Sequence, residues 1–172
     1  MAGKGKYYES QFEEATIELL RESHWQYTFG DDIHRKYTDP LIEEDLRTFL
    51  AAQYKDKKLT ASEVDGIVAN LRNTGGQNDY YALQNTFLLY RDGYDFTYSD
   101  SRDNPFRLQY IDFEHPDHNI FRCVNQFVME QGRENRRPDI LLFVNGIPVC
   151  IVELKNPTKQ NATIRDAHTQ IC

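Results

Sequence analysis

The sequence predicts an α/β fold, with helices in its first half and sheet strands in its second. Three observations point there. Apolar residues recur every three or four positions up to about Tyr90. After Gly93 they gather in short runs rich in β-branched and aromatic residues. Finally, Asn145-Gly146 lies between two apolar runs and marks a hairpin whose strands are apolar on both faces, as expected of a central strand pair covered on both sides.

The first element is an amphipathic helix over Tyr7–Glu22, where Phe12, Ile17, Leu19 and Leu20 alternate with Glu13, Glu14, Glu18 and Arg21. A second spans Leu41–Tyr54, with Asp39 placed to cap it and Pro40 suited to its first turn. Thr60-Ala61-Ser62-Glu63 reads as a capping box that opens a third helix through Val64, Ile67, Val68 and Leu71, stopped by Gly75-Gly76. A fourth helix covers Tyr80–Tyr90. Strands follow at Phe106–Phe113, Phe121–Met129, Asp139–Val144 and Pro148–Leu154. His115-Pro116-Asp117 and Gln131–Arg137 read as polar turns between them. Residues 163–172 resemble the opening of a further helix, so a longer parent protein is expected. The organisation expected is one domain over residues 1–172, helical over about 7–92 and sheet-containing over about 93–172.

Length and composition bound the function. A chain of 172 residues, 40% hydrophobic and 27% charged, can build a well-cored domain and is neither disordered nor repetitive. It lacks an apolar run long enough for a membrane span and an apolar leader, and its three cysteines do not form a disulfide framework or a zinc ribbon, so a cytoplasmic protein is expected. The net charge of -7 argues against a surface that grips nucleic acid everywhere, so contact with phosphate must be local. Most of the 21 Phe and Tyr residues are assigned to the core.

Chemistry concentrates between Arg136 and Lys155. Arg136-Arg137-Pro138-Asp139 precedes the hairpin and Glu153-Leu154-Lys155 closes it. Two registers are open. A two-residue turn pairs Val144 with Ile147 and Asp139 with Val152, which sends Glu153 to the opposite face. A three-residue turn pairs Asp139 with Ile151 and puts Asp139, Glu153 and Lys155 on one face, the carboxylates as diagonal neighbours about 7–8 Å apart. In that register both carboxylates reach one cation, and hard oxygen donors suit Mg²⁺ or Mn²⁺. Such an ion activates water and stabilises charge at phosphorus, with Lys155 positioned to orient the water or neutralise phosphate. Without a cation, the two acids merely open a strand and decorate an edge.

The stretch RPDILLFVNGIPVCIVELKNP resembles the nuclease motif, of the PD-(D/E)xK class, in the R subunit of type I restriction-modification enzymes. QNTFLLYRDGYDF and RLQYIDFEHPDHNIFRCVNQFVME resemble the segments that precede it, and the likeness runs from about Tyr7 to the end. The resemblance implies a restriction-endonuclease-like α/β core, a central mixed sheet flanked by helices, at the front of an ATP-driven DNA translocase. It implies Asp139 and Glu153 as catalytic metal ligands for Mg²⁺ or Mn²⁺ and Lys155 as the catalytic lysine. Gln170 resembles the glutamine of a RecB-like helix motif, whose tyrosine would lie beyond Cys172. An acid on the first helix is expected near the metal; Glu13 is chosen, with Glu9 as alternative, because Glu13 precedes Ile17 and Leu20 by four and seven residues.

The partners implied are double-stranded DNA and the methylation and specificity subunits, with ATP bound only by motor domains. Thr74-Gly75-Gly76-Gln77 lacks the spacing and lysine of a phosphate-binding loop. Arg136 and Arg137, with Arg133 nearby, form a basic patch able to contact DNA phosphates. Asp112, Glu114, His115, Asp117 and His118 are read as a solvated turn rather than a second metal site. A subunit-docking domain without catalysis and a stand-alone repair or recombination nuclease are the other functions weighed.

Overall fold

The computed structural model describes residues 3–74, 79–100, 103–132 and 134–155. Along the chain run α1 (Gly3–Glu22), β1 (Gln26–Phe29), α2 (Glu43–Gln53), α3 (Ala61–Arg72), α4 (Asp79–Asp92), β2 (Tyr94–Phe96) and β3 (Phe106–Leu108). Then follow β4 (Phe121–Asn125), β5 (Met129–Gln131), β6 (Glu134–Arg136), β7 (Ile140–Val144) and β8 (Ile147–Val152). The architecture is mixed α/β. The chain forms two compact units, residues 1–42 with 121–172 and residues 43–120.

The first unit holds a four-stranded mixed sheet in the order β1-β4-β7-β8, with β1 parallel to β4 and the other pairs antiparallel. Its core gathers Ile42, Val124, Phe127, Leu141 and Phe143, with Ile33 and Met129 against them. Full burial of such side chains stabilises a fold by about 1.5–3 kcal/mol each. The segment after β1 is anchored by Arg35, whose guanidinium lies 3.4 Å from the Phe127 ring centroid and donates to the carbonyls of Val128 and Asp39. β1 was not expected: four residues are too few for a readable period, and its partner is far along the chain. β5 and β6 are a hairpin, Met129 opposite Arg136, where the sequence suggests a polar turn.

The expectation for β8 needs correction. Among the described residues it is an edge strand, paired with β7 alone, and Val149 and Ile151 are 45% and 38% exposed. The apolar run is therefore not covered on both sides by described residues.

The second unit packs Leu46, Phe49 and Leu50 of α2 and Ile67, Val68 and Leu71 of α3 in its interior with Leu108 and Tyr110. The Thr60–Glu63 capping box forms as expected, each side chain accepting from the other's backbone N–H. α2 begins at Glu43, later than a cap at Asp39 implies, because the Asp39 carboxylate accepts from the Leu41 N–H, two residues on, and so closes a local turn ahead of the helix. α4 stops before Gly93, whose N–H still donates to the Leu89 carbonyl at 2.9 Å while its φ of 66° turns the chain out of the helix. No helix among the described residues is long and apolar enough to cross a membrane.

Candidate functional site

The β7–β8 hairpin positions the site through a register that neither reading of the turn anticipates. Asn145 and Gly146 both take positive φ, 52° and 74°, and Val144 pairs with Ile147, so the turn has two residues. The turn is held by the Ile42 N–H, which donates to the Gly146 carbonyl at 2.9 Å. Phe143 then pairs with Pro148, but Leu142 pairs with Cys150, leaving an extra residue in β8. That bulge restores what the two-residue turn would have lost. Leu141 faces Ile151 and Ile140 faces Val152, so Asp139 and Glu153 are the next residues beyond the last pair, and continuing its register sets them opposite each other rather than as diagonal neighbours. The readable signal was Pro148, which has no N–H for the ladder and is tolerated inside a sheet at a bulge or edge.

Asp139 is fixed further by the Leu154 N–H, which donates to its Oδ2 at 2.7 Å. Glu153 stands partly buried, and its carboxyl is pushed above the ordinary range, first by burial and next by the Asp139 charge, with Lys155 opposing. Two carboxylates held together at a half-buried strand end create a demand for positive charge. The cleft around them, about 510 Å³, is lined by the apolar Met129 and Ile151 and by the charged Glu134, Arg136, Arg137 and Lys155. Its acids (Glu134, Asp139, Glu153) and its bases (Arg136, Arg137, Lys155) balance, so a divalent cation would turn the cleft positive and receptive to phosphate. Arg136 also reaches Glu134, at 3.3 Å, within the β5–β6 hairpin.

Glu13 lies elsewhere on the first unit. It lines a groove of about 450 Å³ between α1 and the β1–β4 pair and accepts from Asn125 Nδ2 at 2.8 Å. Tyr27 in turn donates its hydroxyl to Asn125 Oδ1 at 3.0 Å. Asn125 pairs with Ile140, the residue after Asp139, on the adjacent strand. Sequence reasoning passed over both Tyr27 and Asn125, which sit in ordinary strand runs. Glu9 is outside the side chains described, and Gln170, Arg133 and the helix expected over 163–172 are outside the described residues. The turn DFEHPDH is not wholly solvated, because Asp112 is only 6% exposed.

The model of a family described as the type I restriction enzyme R protein N terminus matches residues 6–172. The type I restriction enzyme HindI endonuclease subunit of Haemophilus influenzae is 29% identical over 94% of the chain. A putative type I restriction enzyme endonuclease subunit of Methanocaldococcus jannaschii, MjaIXP, is 30% identical over 90% of it. The chain spans 16% of the length of each of these relatives.

Proposed function

The chain belongs to the family of type I restriction enzyme R protein N termini, and on that premise we propose that it is a metal-dependent endonuclease domain that hydrolyses DNA phosphodiester bonds. The observation that supports this most is the meeting of Asp139, Glu153 and Lys155 in one cleft, where the two acids flank the last β7–β8 pair, Ile140 with Val152. Their donors are hard oxygens, suited to Mg²⁺ or Mn²⁺, and burial together with the neighbouring Asp139 charge raises the proton affinity of Glu153. When bound, such an ion supplies an acidified water and charge stabilisation at the phosphate.

The chain's own residues divide the remaining work. Asp139, aimed by the Leu154 N–H, and Glu153 would hold the ion. Lys155 would orient the attacking water or neutralise the phosphate, and Arg136 and Arg137, lining the same cleft, would bind backbone phosphates. Glu13, tied to β4 through Asn125, is proposed as the helix acid that supports the ion from α1, and Gln170 as a further catalytic residue. In the whole protein, cleavage would follow ATP-driven translocation by motor domains, within a cytoplasmic complex that includes methylation and specificity subunits.

Calorimetric titration of the chain with Mg²⁺ and Mn²⁺ tests the site directly. Binding heat and a rise in stability that Asp139→Ala abolishes are expected. A wild-type chain without response, or an unchanged response in Asp139→Ala, would favour a docking domain that has kept the fold and lost the chemistry.

A further inference from the structure

A second cluster of metal-ligating side chains lies in the second unit, in the loop after β3. Asp112, His115 and His118 each bring a ligand atom within 4.8 Å of the others. The loop is built around the acid. Asp112 Oδ1 accepts from the N–H groups of Glu114 and His115 at 3.0 and 2.8 Å, and Oδ2 accepts from Gln53 Nε2, at the end of α2, at 3.0 Å. Asn119 locks the segment from the other side. Its Oδ1 accepts from the Asp112 N–H and its Nδ2 donates to the carbonyls of Asp112 and Pro116.

Pro116–His118 forms one turn of 3-10 helix, so residues three apart eclipse. The imidazoles of His115 and His118 therefore stack, with centroids 4.9 Å apart and planes 17° from parallel. Both Nδ1 atoms lie near the same carboxylate oxygen, 3.7 Å away for His115 and 3.0 Å, within hydrogen-bond distance, for His118. Ligand atoms around a tetrahedral ion with bonds of about 2.0–2.1 Å stand about 3.3–3.4 Å apart. The two observed separations bracket that edge length.

We propose that Asp112, His115 and His118 bind a borderline transition-metal ion of the Zn²⁺ class. Two imidazoles and one carboxylate match Zn²⁺, Co²⁺ or Ni²⁺ and not Mg²⁺, which prefers an all-oxygen shell. Three supports follow from the loop itself. The buried carboxylate already carries the outer hydrogen bonds that aim a ligand, from Gln53 and two amides. The amides are taken up by Oδ1 and Gln53 by one lone pair of Oδ2, which leaves the side of Oδ2 that faces His118 for the ion. The imidazoles are 61% and 51% exposed, so an ion enters from solvent and keeps room for water as a further ligand. The site is separate from the Asp139–Glu153 cleft and does not depend on the nuclease reading. Its role is to clip the loop to the end of α2 through Asp112.

The probe is Zn²⁺ alone, titrated into the chain against a chromophoric chelator, with Cys150 and Cys172 replaced by serine so that thiols do not compete. Loss of an outer partner of a metal ligand weakens affinity about 10–100-fold. His115→Ala and His118→Ala are each expected to weaken Zn²⁺ binding at least tenfold, while Asp139→Asn leaves it unchanged. In the wild type, the ring signals of two of the five histidines, assigned to His115 and His118, should shift together in the NMR spectrum as one equivalent of Zn²⁺ is added. The His115 ring makes no hydrogen bond to Asp112, so His115→Ala should keep the metal-free melting temperature, whereas His118→Ala loses the 3.0 Å contact with the buried carboxylate and should melt slightly lower. Equal Zn²⁺ affinity in wild type and the histidine variants, absence of binding in the wild type, ring signals of His115 and His118 that stay fixed, or loss of binding in Asp139→Asn would each overturn the site.

Discussion

Replacing Glu153 with glutamine should stabilise the metal-free chain at neutral and alkaline pH, because it removes one of two carboxylates that the hairpin register sets directly opposite each other. Directly opposite side chains have Cβ atoms about 5 Å apart. At that distance Coulomb's law gives about 0.8 kcal/mol of repulsion in water and about 3 kcal/mol at an effective dielectric constant of 20. Glu153 is partly exposed and Lys155 offsets part of the repulsion, so about 1 kcal/mol is expected.

The sign of the pH dependence follows from the raised proton affinity of Glu153. Between the unfolded and folded pKa the native state holds more protons, so the penalty grows as pH rises through the folded pKa and is complete above it. Below the unfolded value, about 4.3 for Glu, both states are protonated and wild type and variant should coincide. Urea unfolding in chelator at about pH 8 and about pH 3.5, on either side of that value, measures this. Adding Mg²⁺ at about pH 8 should stabilise the wild type, by about 1.4 kcal/mol for each tenfold excess over its dissociation constant, and not the variant. A Glu153→Gln chain that is no more stable than wild type in chelator at about pH 8, or whose advantage persists at about pH 3.5, refutes the reasoning.

Other consequences can be measured alongside. Gly93→Ala should cost at least about 1–2 kcal/mol in thermal or urea unfolding, since a Cβ there would sit 1.9 Å from the Leu108 carbonyl oxygen and the residue has positive φ. Phe143→Ala should cost about 3–5 kcal/mol, because it opens a cavity beside Phe127 in the core of the first unit. Glu43 is held below the ordinary carboxylate range by hydrogen bonds from Arg72 and Arg47. Its contribution is present above the unfolded pKa and lost as pH falls through the folded one, so Glu43→Gln should lower stability by under about 1 kcal/mol at neutral pH and by nothing near pH 2. In the full-length protein, Arg136→Ala with Arg137→Ala should weaken DNA binding without regard to sequence and reduce the salt slope by about 1–2, as measured by fluorescence anisotropy across ionic strength.

The elements with strong local signals were legible in the sequence. The helix over Tyr7–Glu22, the Thr60–Glu63 box and the helix over Tyr80–Tyr90 are each decided by residues within a few positions, and each is found. The Asn145-Gly146 turn was legible too, but the face on which Glu153 emerges was not. That depends on the bulge after Pro148, a proline whose missing donor interrupts the ladder, and the two alternatives considered both assumed an unbroken register. Long-range placement was the least legible. β1 needs its partner Phe121–Asn125, and the Tyr27–Asn125–Glu13 chain of hydrogen bonds joins residues up to 112 positions apart. Asp112 was hidden for a related reason, since its burial is set by Gln53 and its own loop amides rather than by the polar residues flanking it.

The most direct test is DNA cleavage by the full-length protein assembled with its partner subunits, supplied with ATP and Mg²⁺, comparing wild type with Glu153→Ala while ATP consumption is followed as a control for the rest of the machine. Intact ATP turnover with loss of plasmid cleavage is the predicted result. Cleavage by Glu153→Ala at the wild-type rate would contradict it.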